Sequence, residues 1–524
     1  MIDRRSFMAL TLPWTVLALA GWGSSGAGAQ QTDGRYFGPP EPFDFGLLRD
    51  RAAAMAKNDH VPRRSPAGDV IRRIDFDAVQ KIRFRPDHTL WQDGPGAYPV
   101  RFFHLHTFVP EPVRINVVSD GMAREYLYST DHFDYADTGL DAQLPKELGY
   151  AGFRVMADGE GKTDWLAFQG ASYFRTSGEE DQYGASARGI AVNTGLDAPE
   201  EFPAFTEFWL EPAAPGDEAV VVHALLDGPS VTGAFRFQCE RHNGVTMDVQ
   251  SELFVRSDIR RLGIAPLTSM YWYGENDRRL ADDWRPEIHD SDGLALWTGS
   301  GERLFRPLIN PPVLQVNSFF DRTPKGFGLV QHDRDFANYQ DDGAFYERRP
   351  SIWVEPLGDW GEGAVQLVEI PTDGEILDNI VAYWQPRSPA RKGDRLAFDY
   401  RLHWRNREPY PPEKIAQVVA TRTGRGGRPG ETPVPGSTRR KFVIDFEGGA
   451  ISEMEARYDL TPVVTASRGT VSDRYAVRIV GTKRWRAVFD LEAAGPEPVD
   501  LRCFLQLENR TLTETWLYQY FPQT

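Results

Sequence analysis

The pattern of the 524 residues predicts a mainly β protein built on an extended sandwich, and three observations carry that reading. Val245, Met247, Val249, Ser251, Leu253 and Val255 alternate with mainly polar neighbours, the period-two signature of a half-buried strand. Short segments of this kind recur to about Trp404 between Gly- and Pro-rich punctuation. The 3.6-residue helical period is confined to two short stretches near the start. The length exceeds what one hydrophobic core usually organises, so at least two domains are expected.

In chain order, the first element is an address. Arg4-Arg5-Ser6-Phe7-Met8 precedes an apolar run from Ala9 to Ala20, and Ala27-Gly28-Ala29 offers small residues for cleavage. Residues 1–29 therefore read as a twin-arginine export signal, because the apolar run falls short of the ~20 residues a membrane span requires. The expected destination is the periplasm, reached already folded and without stable membrane insertion. Asp44 can cap a short helix running through Asn58, and Asp75 to Ile82 is a second helical candidate. Ala219–Leu226 and Ser230–Phe237, joined by Asp227-Gly228-Pro229, predict a hairpin. Residues 30–406 form the first expected domain, with 407–416 as a linker around Pro409 to Ile415. Thr421 to Thr438 reads as a flexible Gly-, Pro- and Arg-rich loop early in a second domain, 417–524. Six further strands there, Lys441–Phe446, Pro462–Ala466, Arg474–Val480, Trp485–Leu491, Leu501–Leu507 and Leu512–Tyr520, have the rhythm of an immunoglobulin-like sandwich.

Charge narrows the partners. With 75 acidic and 59 basic residues the chain carries −16, a poor match for nucleic acid or an anionic membrane surface and an easier one for a neutral substrate. Cys239 and Cys503 are expected as two separate buried thiols, with a single interdomain bridge as the alternative. Fourteen Trp, nineteen Tyr and thirty-one Phe suit sugar stacking and sandwich cores alike, and composition does not choose between them.

The chemistry centres on Val368 to Trp384, where two strand-like runs flank a loop holding Asp373, Glu375 and Asp378. Asp378 stands where the chain re-enters an apolar strand, so it is the carboxylate expected to be partly buried, and desolvation moves an acid toward the pKa a proton donor needs. Other chemistries fit less well. His104 and His106 would share one strand face but lack a partner at metal-ligand spacing. Gly184-Ala185-Ser186-Ala187-Arg188 misses the last glycine of a nucleophile elbow, and Gly424-Arg425-Gly426-Gly427 is followed by Pro429 rather than a helix. His289-Asp290 lies in an acidic turn before a strand. No metal or other cofactor is called for. Clustered carboxylates in an exported, aromatic-rich β protein suit glycosidic-bond chemistry, which a carboxyl pair performs.

Six segments then carry a resemblance: Gly149–Phe153, Gly170–Arg175, Tyr183–Gly189, Ala265–Met270, Arg285–Ser291 and Asp378–Trp384. In this order they resemble the periplasmic glucan biosynthesis proteins G and D, which serve osmoregulated periplasmic glucans, over about Phe43 to Trp516. The twin-arginine signal is most similar to the D type. The resemblance implies a large galactose-mutarotase-like β-sandwich followed by an immunoglobulin-like domain, with a cleft for β-1,2-linked glucan. For some members it implies an inverting endo-β-1,2-glucanase, with Asp378 at the general acid and Asp290 at the general base acting through a hydroxyl relay. Asp341, Tyr346, Arg349 and Glu375 match substrate-side positions, with an ion pair to a neighbouring acid left open for Arg349. The chain departs from the family's wording at Asp342 to Phe345 and Asp373 to Leu377. A non-catalytic glucan-binding or branching-assembly factor is the alternative, whereas a mutarotase or lyase would need a His-centred arrangement that is lacking. A homodimer and contact with the glucan-synthesis machinery are both left open as assemblies.

Overall fold

The computed structural model describes residues 36–92, 98–157, 163–212, 219–410, 414–428, 430–431 and 439–522; the expected export signal, residues 1–29, lies outside them. Both expected helices form where their caps sit. Asp44 accepts from Leu47 N–H ahead of Phe45–Met55, and Asp75 accepts from Ala78 N–H ahead of Phe76–Lys81.

The remainder is mainly β. Ala219–Asp227, Val231–Arg241 and Val245–Val255 make an antiparallel meander in which Asp227 faces Thr232 across the expected hairpin turn. Val245, Met247, Val249, Leu253 and Val255 are all buried, whereas the intervening Gln250 is exposed. This meander lies in a large sheet that continues through Arg395–Arg405, Ser351–Leu357 and Gly326–Val330. A second sheet runs from Gln315–Arg322 through Glu362–Glu369, Ile380–Pro386, Leu262–Ser269, Ser186–Arg188 and Tyr173–Thr176 to Val100–Phe103. Much of the aromatic excess fills the core to which both sheets contribute. Phe168 stacks on Phe174 at 5.1 Å between centroids and meets Phe237 edge-on at 5.2 Å.

The C-terminal region is grafted onto the first sheet. Thr515–Tyr520 pairs in parallel with Arg303–Pro307, Phe305 opposite Trp516, and leads on to Val499–Leu507 and Leu460–Ala466. A four-stranded sheet, Gln417–Arg425, Arg439–Glu447, Trp485–Glu492 and Thr470–Arg478, contributes to the same second core, which also takes in Phe305, Ile309, Val330 and Trp353.

Two expectations are corrected. The loop read from Thr421 begins as strand: Gln417–Arg425 pairs with Arg439–Glu447, and Val418, Ala420 and Thr421 are buried. Backbone pairing overrides the loop-like composition there, and residues 429 and 432–438 of that stretch lie outside the described residues. His104 and His106 follow the strand Val100–Phe103 instead of sharing its face. Burial lowers both to about 4, and His104 Nε2 sits 3.2 Å from the Tyr135 hydroxyl. Cys239 and Cys503 are separate buried thiols.

A buried charge cluster fastens the two regions. His332 Nε2 lies 2.9 Å from Glu408 Oε1 and its Nδ1 3.0 Å from the Val418 carbonyl, while Glu514 accepts from Val418 N–H at 3.0 Å. Burial would lower the His332 pKa, but Glu408 overrides it and raises it to about 10. Burial also pushes Glu514 up to about 8. A histidine raised on folding stabilises fully below its unfolded pKa of about 6.5 and loses that contribution as pH rises to its folded value. Glu514, also raised, acts in the same sense up to about pH 8. Stability in denaturant titrations should therefore fall from pH 6.5 to 10, and His332→Gln should flatten the upper part of that fall, from pH 8 to 10. Parallel profiles for the two proteins would contradict the assignment.

Candidate functional site

The strands Glu362–Glu369 and Ile380–Pro386 pair with Glu369 opposite Ile380, so the segment between them projects from the end of the second sheet. Asp378 at its base is 3% exposed, buried more completely than the partial burial expected of it, while Asp373 is exposed. The adjoining Asn379 explains how this base is held. Its carboxamide donates to the carbonyls of Tyr271 and Ile370, both at 2.9 Å, and accepts from Tyr271 N–H at 2.8 Å. Asp290 N–H donates to the Met270 carbonyl at 2.8 Å, and the Ser269 hydroxyl donates to that of Ser291 at 2.8 Å. The short segment Ser269–Tyr271 thus binds the neighbours of Asp378 and the backbone of Asp290, although 88 positions separate those two carboxylates in the sequence.

Asp290 is itself buried and paired with Arg349, which is buried to the same degree. Burial raises the Asp290 pKa while the guanidinium opposes the shift, and the balance remains above the ordinary carboxylate value. Arg349 also donates to the Ala344 carbonyl, and its guanidinium carbon lies 4.1 Å from the Tyr346 ring centroid.

From Tyr346 a polar network extends outward. Its hydroxyl donates to Glu375, whose two oxygens receive Arg285 Nη1 and Nη2 at 2.9 and 3.1 Å. Arg285 Nη1 also donates to Asp341 at 2.7 Å, and its Nε to Asp283 at 2.9 Å. Although burial works the other way, the Ala344 N–H and the Arg285 guanidinium hold Asp341 below the usual carboxylate range. Five expected site residues, Asp290, Arg349, Tyr346, Glu375 and Asp341, are therefore joined in one continuous network.

Three contributors escaped the sequence reading. Arg285 belongs to a quoted segment, but nothing in its spacing marked it as the cation for Asp283, Asp341 and Glu375. Arg334 donates to the carbonyls of Glu347 at 3.0 Å, Arg349 at 3.1 Å and Asn406 at 2.9 Å, tying the site loop to the end of the strand Arg395–Arg405. Gln331 donates to the carbonyls of His289 and Tyr346, each at 3.2 Å. The loop these residues brace contains two non-glycine left-handed residues, Gln340 at φ +56° and Phe345 at φ +50°, conformations that persist only where surrounding contacts impose them.

Next to the network, oxygens of Glu275, Glu287 and Asp333 lie within 4.8 Å of one another, a donor set of the kind hard cations take. Protein groups already answer much of that charge. Thr421 N–H donates to Glu275 at 2.8 Å, His289 Nε2 lies 3.1 Å from Glu287, and burial reinforced by Glu287 raises the Glu275 pKa.

Removing the central cation should expose what it balances. Arg285→Ala is expected to lower unfolding free energy by about 2–3 kcal/mol, because it strands partly buried carboxylates, and to speed amide exchange through 341–349. Arg285→Lys should recover little of this, since a point charge cannot reproduce the paired contact to Glu375. Unchanged exchange in Arg285→Ala would show that the network does not hold the loop.

The model of the family described as "Periplasmic glucan biosynthesis protein, MdoG" matches residues 43–520. The chain is 48% identical to glucans biosynthesis protein D 2 of Ralstonia nicotianae, across 100% of this chain and 98% of the relative. It is 48% identical to glucans biosynthesis protein D of Stenotrophomonas maltophilia, over 93% of this chain and 91% of that one. The corresponding protein of Xanthomonas campestris pv. campestris is 47% identical, over 93% and 92%.

Proposed function

The chain belongs to the periplasmic glucan biosynthesis protein family, and we propose that within that role it is an inverting endo-β-1,2-glucanase of the periplasm, exported by the twin-arginine route. The observation that carries this reading is the placement of two buried carboxylates, Asp378 and Asp290, on chain segments hydrogen-bonded to the same short stretch, Ser269–Tyr271. A pair of carboxyl groups is what most glycosidases use to cleave the bond.

In this mechanism Asp378 protonates the leaving oxygen. Its burial suits an acid that must keep its proton until the bond breaks. Asp290 withdraws a proton from the attacking water. Arg349 holds that carboxylate, so the proton travels to it through intervening hydroxyls, for which the Ser269–Ser291 pair and Tyr346 are candidates. Asp341, Tyr346, Arg349 and Glu375 bind and orient the sugar, with carboxylates accepting from its hydroxyls and the guanidinium donating to its oxygens. Residues 30–406 supply this machinery, and 417–524 form the second domain that braces it.

A second reading rests on a specific observation: the Asp290 carboxylate is already committed to Arg349. If the ion pair persists when glucan binds, the protein grips and organises the glucan backbone without cutting it.

Incubation of the purified chain with linear β-1,2-glucan separates the two. Hydrolysis should yield shorter chains with inverted anomeric configuration, and Asp378→Asn should reduce the rate by at least about a hundredfold while leaving glucan binding intact. A wild-type rate in that variant overturns the assignment of the acid. Binding without cleavage by the unmodified protein favours the organising factor.

A further inference from the structure

The Gly170–Arg175 segment has no part in the mechanism above, yet it forms one wall of a cavity of about 800 Å³. That volume falls inside the range of roughly 300–1,000 Å³ that small-molecule sites occupy. Phe168, Phe205 and Phe208, all buried, contribute its apolar lining, and Phe108, Tyr173 and Phe202 add partly exposed rings.

The wall is built rather than incidental. Ala171 takes a left-handed conformation, φ +40°, which a side chain disfavours, and Phe205 N–H fixes it by donating to the Ala171 carbonyl at 2.9 Å. Next to it, Tyr173 N–H donates to the Gly170 carbonyl at 3.0 Å and Gly189 N–H to the Ser172 carbonyl at 2.9 Å.

The charges around the cavity cancel in pairs. Arg63 Nη2 meets Glu111 Oε2 at 3.0 Å, and Glu200 receives Arg188 at 2.9 Å and the Thr194 hydroxyl at 2.6 Å. Among the described residues around it, Arg63 and Arg188 each answer a carboxylate, so the cavity is tuned neither to an anionic nor to a cationic ligand. Ring faces beside fixed polar groups suit a neutral molecule that is apolar on its faces and hydroxylated at its edge. Burial raises the Tyr173 pKa to about 12, and the Asp378 carboxylate adds to that rise.

We infer that this cavity is a second saccharide site, holding glucose residues of the glucan remote from the bond at Asp378, so that long chains are gripped more tightly than short ones. The inference rests on the glucan reading above and gives the unused Gly170–Arg175 motif a task. Phe108, on the Thr107–Glu111 side, is the accessible ring over which a sugar face would lie.

The test measures equilibrium binding of linear β-1,2-gluco-oligosaccharides of graded length to the mature chain carrying Asp378→Asn, so that nothing is cut. Affinity should rise with length. Adding Phe108→Ala or Phe202→Ala should weaken the longest chains about tenfold, or ~1.4 kcal/mol, and leave the shortest unchanged, whereas Phe108→Tyr should retain tight binding. Phe108 is 38% exposed, so its truncation leaves the core intact, and matching thermal unfolding curves would verify this. Equal binding of long chains with and without both truncations overturns the inference while leaving the glucan reading standing, as does an equal loss at every length. Failure of the Asp378→Asn chain to bind any of these oligosaccharides removes the glucan reading and this inference with it.

Discussion

Arg349 and Asp290 stand 59 residues apart in the chain, are both almost fully buried, and serve as each other's counter-charge. Taking two such groups out of water costs several kcal/mol apiece, and only close pairing with further hydrogen bonds recovers it. The surrounding architecture meets that requirement. Ala344 offers a carbonyl to the guanidinium, Tyr346 lays its ring beneath it, and Met270 takes the Asp290 N–H. Arg334 and Gln331 then fix the backbone carrying Arg349 and Tyr346. The setting of Asp290, the proposed base, is thus fixed by one buried ion pair and the bonds that support it.

The strand order explains why the network sits where it does. Leu262–Ser269 and Ile380–Pro386 are neighbours in the second sheet, so the residues just beyond Ser269 and just before Ile380 meet at one end of it. Gly326–Val330, in the first sheet, delivers Gln331 to the same place and His332 immediately after it. His332 in turn grips Glu408 and the Val418 carbonyl. The C-terminal region is therefore coupled to the site loop through adjacent residues, and the left-handed turns at Gln340 and Phe345 are held from both ends.

Local patterns were legible in the sequence, and their physical basis is itself local. Asp44 and Asp75 announce helix starts because a carboxylate can reach N–H groups three residues on. Alternation from Val245 to Val255 announces a strand because successive side chains must face opposite ways. Asp378 could be singled out within its loop because it adjoins an apolar strand, and burial follows from that adjacency. The same local logic misjudged Thr421–Arg425, whose polar composition conceals a strand secured by backbone pairing with Arg439–Glu447.

By itself, then, the sequence determined the mainly β class, the short capped helices, the punctuation of strands, and, through its resemblance to a known family, which carboxylates and aromatic residues to watch. Tertiary structure decided their partners. Arg349 as counter-ion to Asp290, Arg285 as the cation for Asp283, Asp341 and Glu375, and Thr515–Tyr520 laid parallel against Arg303–Pro307 mostly join positions tens to hundreds of residues apart. No spacing rule spans such separations. The choice among the chain's many acids and arginines is made only when packing removes them from water and leaves each charge only the partners within reach.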